Sequence, residues 1–201
     1  MKHGNKTKLR IINEANKLFY QQGYNATSFS NIVDATGLSK GNITYHFKNK
    51  QEILNGIVES RLADIDELLL AWSKEIPSPI NRLIRFCEML LDEQDNLEHY
   101  GCPMGTLTGE FAKNQPALYQ ITLPMFKRFQ SWLIEQFILL GFSSEQANEN
   151  SLELLSRVQG IAVITHVFKD KKFLNKEISK LKDEIQNRYD EPSLPDVPHE
   201  K

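Results

Sequence analysis

Between Ser39 and Lys50 the chain reads Ser-Lys-Gly-Asn-Ile-Thr-Tyr-His-Phe-Lys-Asn-Lys. Ile43 and Phe47 stand four apart, the spacing of a single helical face. That leaves Lys40, Asn42, Thr44, Tyr45 and His46 on the remaining faces. They carry donors, acceptors and positive charge on a short helix, which is the chemistry that reads base edges and phosphates in a major groove. Upstream, Ile32, Val33 and Ala35 form an apolar patch, and Gly37 permits a sharp turn without a Cβ clash. Leu38 plugs the corner. Ser39 is an acceptor placed to cap the second helix. Two short helices joined by a tight turn are predicted.

A second kind of chemistry is offered by Gly101-Cys102-Pro103-Met104-Gly105. Pro103 suits the first position of a helix, which places Cys102 at the cap. A thiol beside the positive end of a helix dipole ionises more readily and becomes a better nucleophile. Asp92, Glu93, Asp95 and Glu98 lie just upstream and oppose this if close. A small buried Cys without reactivity is the plainer reading. Cys87 sits on an ordinary amphipathic stretch and reads as core.

A third set is aromatic. Trp72, Phe86, Phe111, Phe126, Phe129 and Trp132 stand at positions suited to lining a cavity, with His166 as a polar group on an apolar helix. Aromatic residues at helical spacing are more often core, and a histidine there is more often a satisfied core residue. Nothing resembles a catalytic constellation: there is no Gly-rich phosphate loop, no Gly-x-Ser-x-Gly elbow and no His-Glu-x-x-His. Two cysteines give neither a disulfide framework nor a zinc spacing. No enzyme, cofactor or metal is expected.

The elements that must position these groups are helical throughout. A first helix is predicted from about Lys6 to Gln22, with Leu9, Ile12, Ala15 and Phe19 inward. A long helix follows from Lys50 to about Lys74, stopped by Pro77 and Pro79. Ile80–Glu93 is the next, then a loop through Asn96, His99 and Tyr100, and a short helix from Thr106 to Lys113. Ala117–Leu140, a helix from Ser143 or Ser144 to about Lys169, and Asn175–Tyr189 complete the set. The fold class is all-α, with about nine helices. Leu174, Ile178, Leu181 and Ile185 follow alternating four- and three-residue steps, and Leu152, Leu155, Val158, Ile161 and Thr165 form a similar stripe. Both are suited to helix packing, within the chain or between two copies. Gly160 and Ala162 would let another helix approach closely.

The run from Thr27 to Lys50 closely resembles the DNA-binding domain of the tetracycline-repressor family of bacterial regulators. Ser39-Lys40-Gly41, the aromatic slot at Tyr45, His46-Phe47 and Lys50 match its recognition segment. Ile11-Ile12, Ala15, Leu18-Phe19, Gly23-Tyr24 and Thr27-Ser28 match the preceding part. Thr44 departs from the pattern, standing where a Tyr is usual. The resemblance covers the first quarter of the chain. It implies DNA contact by Thr27, Ser39, Lys40, Gly41, Asn42, Thr44, Tyr45, His46 and Lys50, with Thr27, His46 and Lys50 on phosphates. It also implies a homodimer through a four-helix bundle near the chain's end, a small-molecule effector and, by default, repression. The Gly-Cys-Pro-apolar-Gly run is similar to one in a subgroup of the family, some of whose relatives sense electrophiles or oxidants through a nearby Cys.

Charge agrees with this division. Residues 1–50 carry eight Lys/Arg and two acids, a balance of +6; the remainder balances at −8. A basic head on an acidic body supplies the sequence-independent phosphate attraction a DNA binder needs. The expected organisation is a helix-turn-helix domain at 1–50, a ligand-binding and dimerisation domain at 51–190, and a flexible Pro-bearing tail at 191–201. The polar start lacks a signal peptide, and no apolar run approaches the ~20 residues that span a bilayer. A cytoplasmic protein without a membrane partner is expected. Two other classes remain open: a helical thiol-dependent enzyme using Cys102, which leaves the basic helix unexplained, and a bare nucleoid-type DNA binder, which needs no acidic body.

Overall fold

A computed structural model describes residues 2–189, and all regular structure among them is helical. Ten helices follow one another: α1 (Lys2–Gln22), α2 (Phe29–Thr36), α3 (Lys40–His46), α4 (Lys50–Glu75), α5 (Pro79–Asp92), α6 (Gln94–Tyr100), α7 (Gly105–Ala112), α8 (Pro116–Leu139), α9 (Ser144–Phe168) and α10 (Lys171–Tyr189). The all-α expectation stands. One predicted loop does not, because the segment with Asn96, His99 and Tyr100 is α6. Its only buried residue is Leu97, so it had no apolar period to reveal it. The expected tail at 191–201 lies outside the described residues.

The head is built on α1. Ile11, Ala15 and Phe19 are buried against Ile32 of α2, Ile43 of α3 and Ile53 and Ile57 of α4. Leu9, expected inward, is half exposed, and Ile11 takes that place. A box at Ser28 starts α2: Ser28 Oγ accepts the Asn31 N–H, and Asn31 Oδ1 accepts the Ser28 N–H. At the other end Gly37 adopts φ 62° and donates its N–H to the Val33 carbonyl.

In the body, α8 packs on α4, α5, α7 and α9, while α10 packs on α5 and α9. Arg82 joins three helices. Its Nε and Nη2 donate to the Ile76 and Ser73 carbonyls at 2.7 Å each, closing the C-terminal end of α4, where a cation is favoured. Its Nη1 donates to Gln136 of α8. The stripe Leu174, Ile178, Leu181 and Ile185 is at most 4% exposed within the single chain. At about 1.5–3 kcal/mol per buried side chain it is a major tie of α10 to the body. Of the two packings this stripe suits, the one within the chain is the one these four residues make. The apolar residues left exposed on α9 are instead Leu152, Val163, Ile164, Val167 and Phe168.

Candidate functional site

Ser39 caps α3 by accepting the Asn42 N–H at 3.2 Å. Ile43 and Phe47 point into the head core, so the helix is held by one face. Lys40, Gly41, Asn42 and Tyr45 are exposed, Tyr45 by 79%. Thr44 and His46 are half-buried. Thr44 Oγ1 donates to the carbonyls of Lys40 and Gly41, leaving its lone pairs outward as acceptors. His46 stacks edge-on against Tyr45, ring centroids 5.1 Å apart. Lys48, exposed, reaches the Thr44 carbonyl at 3.4 Å. The result is a rigid, solvent-facing set of donors and cations around one short helix.

Thr27 and Lys50 both have partners within the chain. Thr27 is fully buried; its hydroxyl donates to the Gly23 carbonyl at 2.7 Å and accepts from Gln22. The Lys50 ammonium donates to the carbonyls of Tyr24 and Thr27 at 2.7 and 2.8 Å and lies 4.0 Å above the Tyr24 ring. Burial lowers its pKa, against the field of Glu110. Both residues are engaged in building the 23–27 turn, and neither is arranged here as a free phosphate contact. Glu110, from α7, completes this turn by accepting the N–H groups of Tyr24 and Asn25 at 3.0 and 2.7 Å. No sequence pattern pointed to Glu110, since its partner lies over eighty positions away.

A cavity of about 510 Å³ opens where head meets body. Asn16 and Tyr20 come from α1, Arg61 and Leu68 from α4, and Met89, Met104, Cys102 and Phe129 from the body. Two side chains tie the head to the loop between α6 and α7. Tyr20 donates its hydroxyl to the Gly101 carbonyl at 2.8 Å. Burial, with Cys102 second, pushes its pKa up, so it remains a donor. Arg61 donates to Asn16 Oδ1 and to the Pro103 carbonyl.

Of the residues expected around a ligand, Cys102 and Phe129 line this cavity. Phe126 and His166 line a second hollow, of about 480 Å³, that also touches Cys102 and Gln159. Trp72, Phe86 and Phe111 are packed in the core: Trp72 against Trp132, Phe86 against Phe129, and Phe111 against Tyr24. Their period was that of a buried face, and that is what they form. His166 places Nδ1 3.0 Å from the Glu98 carbonyl oxygen.

The Gly101–Gly105 loop has a geometry of its own. Gly101 lies at φ 78°, and a Cβ there would meet Thr106 at 2.8 Å. A Cβ on Gly105 would meet the Gln159 side chain at 2.7 Å. The helix begins at Gly105, two residues later than Pro103 suggested. Cys102 still acts as a cap in its bonding, because its sulfur accepts the Gly105 N–H at 3.4 Å and its carbonyl accepts the Thr106 N–H. Gln159 Nε2 lies 3.5 Å from the same sulfur. Among the described residues there is no group of His, Cys, Asp and Glu suited to a metal, and no helix long and apolar enough to cross a membrane.

Known proteins agree with this geometry. Residues 11–57 match the family described as bacterial regulatory proteins, tetR family. Residues 79–179, half of the chain, match the LmrA/YxaF-like transcriptional regulator C-terminal domain. The chain is 27% identical over 164 residues to the HTH-type transcriptional regulator YxaF of Bacillus subtilis, covering 81% of this chain and 86% of that one. It is 25% identical over 159 residues to LmrA of the same organism, covering 75% and 81%. A TetR transcriptional regulator structure from Legionella pneumophila superposes with a TM-score of 0.77 at 22% identity, over 87% of this chain and 94% of that one. The helix-turn-helix head and the helical body that carries the cavity together place this chain in the tetracycline-repressor family of DNA-binding transcriptional regulators.

Proposed function

We propose that this protein is a ligand-responsive repressor that binds a palindromic operator as a homodimer and leaves it when a small, mostly apolar molecule fills the head–body cavity. The head is taken as residues 1–50 and the ligand and dimerisation body as 51–190. Lys40, Asn42, Thr44 and Tyr45 read the groove, and His46 and Lys48 meet phosphates. The observation that carries this reading is that Asn16 and Tyr20 of the head and Cys102, Pro103 and Met104 of the body line one cavity. A molecule there touches both parts at once. Only a ligand that prefers the DNA-incompetent arrangement shifts the population, by a few kcal/mol for a nearly complete switch.

The exposed apolar stripe of α9 is the proposed dimer face. Gly160 lies within it with open space around its Cα, so a second helix can approach closely. Two recognition helices on one face of the duplex fix half-sites about one turn, ~34 Å, apart. Selection from a random DNA pool tests the reading. A palindrome with that spacing, released by a ligand that Phe129→Trp or Met104→Trp excludes from the cavity, is the expected outcome. Recovery of no palindrome would sink the dimeric repressor.

A second reading has a specific observation behind it. Cys102 lines both hollows and lies in the loop that accepts Tyr20 from α1 and Arg61 from α4. Bulk added to that sulfur would disturb the same ties, which makes this a thiol-responsive variant of the same switch.

A further inference from the structure

Arg61 is the one cation on the wall of the head–body cavity among the described residues. Its guanidinium is held by neutral acceptors. Nε and Nη2 donate to Asn16 Oδ1 at 3.0 and 2.5 Å, and Nη1 donates to the Pro103 carbonyl at 2.8 Å. A guanidinium has five N–H groups, so one remains on each Nη. No carboxylate forms an ion pair with it among the described residues. Burial lowers its pKa, which marks a cation whose lost hydration is incompletely replaced.

Two acids share the wall, Asp64 and Glu93, and both are exposed. Asp64 acts on Arg61 to raise its pKa, but burial outweighs it, and solvent screens both acids. Arg61 is the less hydrated charge, and Ile65, Leu68, Met89 and Phe129 give the same cavity an apolar wall. A planar carboxylate matches the fork geometry of a guanidinium and brings an opposite charge that the amide and carbonyl oxygens now holding Arg61 lack.

We propose that the cavity takes an apolar organic acid and that Arg61 binds its carboxylate. This rests on the reading of the cavity as the effector site. It also gives that site a means of release. The bonds Arg61 makes to Asn16 and Pro103 join α1 to the α6–α7 loop, and a carboxylate seated on the two remaining N–H groups draws the guanidinium away from them. Recognition of the acid and loosening of the head then become one event.

Calorimetry on the full chain tests it, with decanoate, naphthaleneacetate and diphenylacetate, each beside its primary amide and its amine analogue. At least one acid should bind about tenfold or more tighter than its amide. Arg61→Gln should abolish that acid-over-amide ratio, and Arg61→Lys should retain a reduced one, since it keeps the charge without the planar fork. If amides or amines bind as well as the acids, the acid assignment falls while the cavity reading stands. If no compound of any class binds, both fall. If Arg61→Gln does not fold, the wild-type ratio and Arg61→Lys still decide.

Discussion

Glu110 on α7 accepts the backbone N–H of Tyr24 at 3.0 Å, which bonds the body directly to the turn that leads into the helix-turn-helix. Lys50 grips the same turn through the Tyr24 carbonyl. The turn is thus held by an anion on its N–H side and a cation on its carbonyl side. Glu110→Gln keeps the size but turns one of the two accepting oxygens into an amide donor, so one hydrogen bond is lost and the other loses its charge. It should cost about 1 kcal/mol of stability. Ligand affinity should stay near wild type while ligand-driven release from operator DNA weakens. Thermal unfolding and fluorescence anisotropy with labelled operator measure the two. Unaltered release would show that Glu110 only stabilises the turn.

The recognition face and the turn behind it should separate by mutation. Tyr45→Ala should cost about 1–3 kcal/mol in binding to the operator and little in binding to random DNA. Lys40→Ala should weaken operator binding with little change in fold, because Lys40 is exposed. Lys50→Ala is expected to behave differently. It leaves the Tyr24 and Thr27 carbonyls without their donor, at about 1–3 kcal/mol of fold stability. A Lys50→Ala protein with wild-type melting, and a salt slope lowered by about one, would restore Lys50 as a simple phosphate contact.

This contrast shows where the sequence was legible. Ile43 and Phe47, four apart, identified the buried face of α3, and the Ser39 cap followed from residue type and position alone. Those are local rules, and the structure obeys them. Lys50 and Thr27 depend on how the 23–27 turn folds back on α4, and Glu110 reaches them from α7, so no local spacing encodes the arrangement. The cavity is hard to see in the sequence for the same reason. Trp72, Phe86 and Phe111 were sized for a pocket, but periodicity reports only that a residue faces inward. Asn16 and Tyr20 of the head and Arg61 of α4, which share the wall, gave no signal because they are polar. The α10 stripe was visible as a stripe, yet its partner, α5 of the same chain, was not.

Assembly can be tested by placing charge on the exposed and on the buried face. Val163→Glu or Val167→Glu places a charge on an exposed face, 54% and 62% accessible in the single chain. Each should fold normally, with wild-type helicity, sediment as a monomer and lose cooperative operator binding. Leu181→Glu buries a charge among α10 and α5, where the position is 1% exposed. It should unfold or precipitate the protein, since an unpaired buried charge costs several kcal/mol. A dimer that survives both α9 substitutions moves the interface to another face.

The thiol reading rests on one sulfur, and the second cysteine makes a clean control. Cys87 is fully buried on α5, and burial pushes its thiol up to about 12, so it should not react in the folded protein. Cys102 is 7% exposed but lines both hollows, which gives a small electrophile a route to it. Serine at this position can keep the bond from the Gly105 N–H, so Cys102→Ser should fold and bind operator like wild type. N-ethylmaleimide should modify wild-type protein once, at Cys102, adding bulk beneath the loop held by Tyr20 and Arg61. Anisotropy should then report release from the operator by wild type and continued binding by Cys102→Ser. If both proteins are released equally, or if the modified wild type stays bound, thiol control is wrong and the non-covalent cavity alone carries regulation.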